Sequence, residues 1–205
     1  MRIGLLIAPA VGRIARRYHV PCLVEKGDAR PGARYALSVG TQPPEIPQVL
    51  ADFGFPALGA IAERAASGLI HHTYLVRLAD GLRLVLQRMH PIFSPEVLLD
   101  IDAITAHLDR HGMLTPRPLL TPKGALGVPG AEGAVWRVLT YLDGITHDRM
   151  PDPAHAAEAG RLVAAFHRAV ATLPHEFRFV RAGVHDTAAH LARLRDVSST
   201  ACDDS

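Results

Sequence analysis

Thr73-Tyr74-Leu75-Val76-Arg77-Leu78, Ala79-Asp80-Gly81 and Leu82-Arg83-Leu84-Val85-Leu86-Gln87-Arg88 form the stretch on which the fold turns. Apolar and polar residues alternate on both sides of a short break, and period two is the signature of a half-buried strand. Asp80-Gly81 supplies the chemistry of a tight turn, because glycine accepts backbone angles that other residues avoid. The stretch therefore predicts an antiparallel hairpin. Just upstream, residues 60–65 read as an earlier strand, and Ala66-Ser67-Gly68 as the turn between it and the hairpin.

Downstream, Ser94-Pro95-Glu96 opens a helix, with Ser94 as N-cap and Pro95 at the first helical position. Val97, Leu98, Ile101, Ile104 and Leu108 mark its apolar face, and His111-Gly112 ends it. Pro116 to Leu120 is short and extended, before a Gly-rich turn through Gly133. Val135 to Tyr141 reads as a buried strand, broken by Leu142-Asp143-Gly144. A helix then runs from about Asp152 to Leu173, with Ala159, Leu162, Val163, Phe166, Val170 and Leu173 on one face; a further helical stretch covers 186–196. Ahead of the hairpin, Val49, Leu50 and Phe53 suggest a short helix stopped by Gly54 and Pro56. Strands first and helices after is an α+β layout.

Composition narrows the function classes. The 205 residues are 48% hydrophobic, which is ample for a core and argues against disorder. A formal charge of +2 is too balanced for a nucleic-acid footprint. No run approaches the roughly 18–20 apolar residues of a membrane span. Cys22 and Cys202 lie near opposite ends, so neither a disulfide framework nor a four-ligand zinc site is expected, and a cytoplasmic location is the default. Lys26 and Lys123 are the only lysines. Any phosphate chemistry must therefore rest on arginine or on backbone N–H groups.

Residues 1–45 read as an extension or linker, with disorder one alternative. Met1 to Val24 is basic and lacks acids, but its apolar patch Gly4 to Ala8 is short and no small-residue cleavage pattern follows. Pro31, Gly32, Gly40, Pro43, Pro44 and Pro47 give 27–47 the composition of a linker. His107 and His111 have an i, i+4 spacing able to bind a metal, but no Glu-x-x pattern joins them.

Five segments, in order, carry a resemblance. They are Ser67 to Val76; Val85 to His90; Ile92-Phe93 with Ile104 to Leu108; Trp136-Arg137 through Tyr141 to Gly144; and Ala165 to Arg168 with His185-Asp186-Thr187 beyond. Together they resemble the phosphotransferase family of aminoglycoside and choline kinases, in particular its N-acetylhexosamine kinase-like branch. The resemblance implies a protein-kinase-like small lobe, an antiparallel sheet plus one helix, over 46–143. The first helices of a truncated large lobe would cover 144–195, and 196–205 would be a tail.

The resemblance also implies roles. The turn from Ser67 and Gly68 to His71 and Thr73 would bring backbone N–H groups against ATP phosphates. The branch usually carries asparagine where His71 stands. On the third strand of this fold a cation meets the phosphates, and here either Gln87 or Arg88 is the residue facing the cleft. Glu96 or Asp102 would be its acidic partner. The break after Tyr141 would be the hinge, with adenine near Thr140, Leu142 and Asp143. ATP and Mg²⁺ are the implied cofactors.

The family's catalytic loop, His-x-Asp-x-x-x-x-Asn, has no counterpart, since the chain contains no asparagine. The expectation is thus a phosphotransferase of small-molecule hydroxyls, amino sugars among them, on a truncated chain lacking that loop. Two alternatives stand beside it. One is half of a split kinase, completed by a separate C-lobe chain. The other is a non-catalytic nucleotide-binding or protein-interaction module.

Overall fold

Alternating burial orients every long strand. Tyr74 and Val76 on β3 (His72–Arg77), Leu84 and Leu86 on β4 (Arg83–Arg88), and Trp136 and Val138 on β6 (Val135–Thr140) are buried on one face. They continue into β2 (Ile61–Ala65) through Ala62. Two short strands, β1 (Leu37–Ser38) and β5 (Val128–Pro129), complete a six-stranded antiparallel sheet of order β1-β2-β3-β4-β6-β5. This computed structural model describes residues 37–38, 43–65, 70–145, 147, 149–181, 183–184 and 186–202. Ser67, Gly68, His185 and most of 1–45 lie outside the described residues.

Helix α1 (Ile46–Asp52) covers the buried face with Ile46, Val49 and Leu50, and Phe53 and Phe55 follow it into the same core. The helix and its stop are as the sequence predicts. Trp136 has no exposed surface; its Nε1–H donates to Glu45 Oε1 at 2.6 Å, pinning the helix start to β6. Gly130 passes so close to the indole that a Cβ there would lie 2.5 Å from the ring, so only glycine fits. The edge strand β1 falls inside the stretch read as linker. Two residues carry no periodicity, and only pairing with Arg64 and Ala65 makes them a strand.

Three more helices follow: α2 (Val97–Arg110), α3 (Pro153–Val170) and α4 (Thr187–Cys202). Ser94 is not the N-cap of α2. Val97, Leu98 and Leu99 donate N–H to the carbonyls of Ser94, Pro95 and Glu96, three residues back, so the i to i−4 ladder starts later and Glu96 occupies the cap without a side-chain bond. The loop Pro116–Leu120 is extended as expected and bridges to β6 at Leu139.

Helix α2 joins the sheet layer to the helices beyond. His107, buried, donates from Nε2 to the Ala169 carbonyl at 2.8 Å, at the end of α3. Its ring therefore serves helix packing, and His111 folds back onto the His107 carbonyl. Asp100, 3% exposed, accepts from His175 Nε2 at 2.8 Å and from the N–H groups of Arg178 and Phe179 at 2.9 and 3.0 Å. Burial alone would raise the Asp100 pKa; these three donors together outweigh it and hold the carboxyl below its ordinary 3.8. Beyond this junction α3 is largely bare. Leu162, Val163 and Phe166 are exposed, as are Leu191, Leu194 and Val197 on α4.

Leu86→Ala, in the centre of the core, should lower stability by about 2–5 kcal/mol in urea unfolding. Asp100 generates a pH prediction. A carboxyl depressed in the fold stabilises above its unfolded pKa and loses that contribution as pH falls through the folded value. Wild type should therefore lose stability more steeply than Asp100→Asn below about pH 3.8, as urea unfolding across pH 2.5–6 (an assay range of roughly the carboxylate titration) would show.

Candidate functional site

With Leu84, Leu86, Trp136 and Val138 in the core, the intervening residues must face the opposite way. Thr73 and Leu75 of β3, Val85 and Gln87 of β4, and Arg137 and Leu139 of β6 share this second face. Register places Thr73 opposite Gln87 and Gln87 opposite Arg137. Three polar side chains therefore lie in a row across three strands.

They are bonded to one another. Gln87 Nε2 donates to Thr73 Oγ1 at 3.0 Å, and Arg137 Nε donates to Gln87 Oε1 at 2.9 Å. Both ends of the Gln87 amide are thus committed, which fixes its orientation. Arg137 is 7% exposed, and burial pushes its pKa down from the usual arginine value. His71 sits beside this row. Its Nδ1 accepts the His90 N–H at 3.1 Å and its ring packs on Phe93. The His71 pKa is lowered by burial first, then by the charge of Arg137 and that of His90.

Towards the other end of the same face, Ile61, Glu63, Leu75, Arg77, Arg83 and Tyr141 surround a cavity of about 190 Å³. Its floor is apolar, and it abuts the point where β6 ends. Thr140 is tied to the Pro116–Leu120 segment: its N–H donates to the Arg117 carbonyl and its hydroxyl accepts the Arg117 N–H. From Leu142 to Gly144 the backbone makes no hydrogen bond to a described residue. Asp143 pairs with Arg83 at 2.6 Å on the surface. A larger groove of about 430 Å³ lies at the β5 edge, against Leu98, Gly127 and Val135. Its lining is apolar and no polar groups converge there, so the smaller cavity is the better site.

The candidates from sequence thus separate. His71, Thr73 and Gln87 come together on the cleft face, and Leu142 lies at the strand break. Arg88 sits on the other face, held by Glu132 at 3.1 Å, with Glu45 at 4.0 Å. Glu96, exposed at the start of α2, and Asp102 form no ion pair with Arg88 among the described residues. Asp186 caps the last helix by accepting the Ala189 N–H. The residue that sequence reasoning missed is Arg137. Its signal was a lone arginine inside an otherwise apolar strand.

Among the described residues no group of three or more His, Cys, Asp or Glu could hold a metal ion. The described side chains do not fit a Mg²⁺ site. No described helix is long and apolar enough to cross a membrane.

The family model described as the phosphotransferase enzyme family (APH) matches residues 61–201. No curated protein matches. Among solved structures, an aminoglycoside phosphotransferase from Alicyclobacillus acidocaldarius subsp. acidocaldarius superposes with a TM-score of 0.52 at 23% identity, over 78% of this chain and 44% of that one. The amicoumacin kinase hAmiN, in complex with AMP-PNP, Ca²⁺ and Ami, gives 0.47 at 18% identity, over 61% of this chain and 40% of that one. The chain thus spans under half the length of either protein.

The proximity of Arg137 to His71 is open to test. Replacing Arg137 by Gln removes a positive charge, which favours the imidazolium, so the His71 pKa should rise in an NMR pH titration.

Proposed function

The chain belongs to the phosphotransferase enzyme family, and from that premise we propose that it binds ATP on the cleft face of its sheet as the nucleotide lobe of a small-molecule kinase. The observation that carries this reading is the two-ended face. A cavity that offers Leu75 and Tyr141 to a base is rimmed by Glu63, Arg77 and Arg83, and the backbone at 142–144, which bonds no described residue, can meet the base's edge. A polar row at Thr73, Gln87 and Arg137 lies further along the same strands. A nucleotide needs both kinds of surface in that order.

The substrate class proposed is a small-molecule hydroxyl, with amino sugars first, on the strength of the sequence resemblance to the N-acetylhexosamine kinase-like branch. The chain's own residues offer no Asp and Asn loop for the transfer step, because it contains no asparagine. A complementing large lobe is proposed to supply it. The bare face of α3 favours this second element. Leu162 and Val163 are 62% and 53% exposed, beside Phe166, which is more than such side chains usually present to water. A cytoplasmic setting is proposed with it.

The test is a thermal unfolding series of the full chain with ATP and GTP. ATP at about 100 times its dissociation constant should add about 2.7 kcal/mol of stability. No stabilisation at millimolar ATP would sink the nucleotide reading and favour an interaction module. Phosphorylation of N-acetylhexosamines should stay at background for the chain alone; robust turnover would overturn the need for a complementing lobe.

A further inference from the structure

We propose that Arg137, on β6, is the side chain that receives the nucleotide's phosphates, and that Gln87 positions it; the proposal rests on the nucleotide reading above. The fold's usual place for such a cation is the strand that here carries Gln87 and Arg88. That strand presents an uncharged amide to the cleft and turns its arginine away. The charge is supplied instead by the next strand of the sheet, directly across the register from Gln87.

Burial and partnering set Arg137 apart. It is the one arginine in the buried set among the described residues. Arg83, Arg88, Arg117 and Arg161 each have a carboxylate within 4 Å, and all lie nearer water. Arg137 has none among the described residues, and its single hydrogen bond to a described residue is the one from Nε to Gln87. A buried charge is costly unless an opposite charge or a full set of hydrogen bonds compensates it. Where the described residues provide no carboxylate, an anion from outside completes the site.

The fork favours an oxyanion over a lone halide, and the spacing to the cavity beside Tyr141 favours a nucleotide's phosphates over the carboxylate of a small acid. Gln87 holds Nε from one side, so the terminal nitrogens keep their fork for a bidentate contact. The Gln87 amide is itself braced by Thr73. Between Arg137 and Tyr141 the strand advances roughly 13 Å, so a base in the cavity beside Tyr141 and phosphates at Arg137 belong to one extended ligand. The field of Arg137 also reaches His71, whose pKa it lowers after burial does.

The experiment measures ATP and adenosine binding to the full chain by calorimetry, for wild type, Arg137→Gln, Arg88→Gln and Gln87→Glu. Arg137→Gln should weaken ATP roughly ten- to a hundredfold, the range of a lost charge-assisted contact, and leave adenosine within about twofold. Arg88→Gln should change neither. Unchanged ATP affinity in Arg137→Gln overturns the proposal while the nucleotide reading stands. Wild type binding neither ligand overturns both. Should Arg137→Gln fail to fold, Gln87→Glu decides. It places the missing carboxylate against the guanidinium at nearly constant shape, so the melting temperature should hold or rise while ATP affinity falls at least tenfold and adenosine is unaffected. A Gln87→Glu variant that binds ATP as wild type does overturns the proposal.

Discussion

Leu86 and Trp136, neither with any exposed surface, are the constraint from which the cleft follows. A strand has two faces and a period of two, so sealing one residue into the core commits its neighbours to the other side. Leu86 sends Gln87 outward, and Trp136 sends Arg137 outward. Antiparallel pairing then aligns them, and Thr73 of β3 joins the row by the same rule. A slip of one residue in β6 would place a guanidinium in the α1 core and an indole in the cleft, and the same slip in β4 would exchange Gln87 with Leu86. The hydrophobic core and the polar row are therefore one decision made by the same backbone.

Helix α2 carries the second constraint. Two of its buried polar residues anchor the chain at and beyond the end of α3: His107 holds the end of α3, and Asp100 gathers three donors from residues 175–179. A buried carboxylate satisfied by backbone N–H groups is a directional contact, unlike apolar packing. It fixes where the chain goes after α3, although the rest of that helix has little to lean on. The bare surface of α3 and the ordered junction at its end are thus compatible, because the junction depends on α2 and not on the apolar face.

Much of this was readable beforehand, for physical reasons. The hairpin 73–88 declares itself through alternation and an Asp-Gly turn, and the strand at 135–141 through a sustained apolar run. The capping residue of α2 was not readable, since Ser94 and Pro95 satisfy the usual signature while the backbone enters by three-residue turns. β1 was invisible because two residues cannot display a period. The choice between Gln87 and Arg88 stayed open because this hairpin has apolar residues on both faces. Leu75 and Val85 line the cleft, so the pattern alone does not say which side is the core. Pairing with Trp136 breaks that tie. Arg137 escaped for the related reason that a strand read as buried gives no hint of which side holds a charge.

The near absence of lysine bears on that position. A lysine ammonium placed under the same cover loses its proton readily, because desolvation acts against a pKa that starts closer to neutrality. Arginine begins so far above neutrality that burial, although it lowers the pKa of Arg137, leaves the guanidinium charged. The planar fork also lets one nitrogen be spent on Gln87 while the others remain for a ligand. A compact ammonium, hydrogen-bonded to the same amide, would present no such fixed direction. A cation placed on the covered cleft face of β6, beside β4, is therefore best served by arginine, and the uncharged Gln87 is what that placement requires of its neighbour: an acceptor that orients the charge without neutralising it.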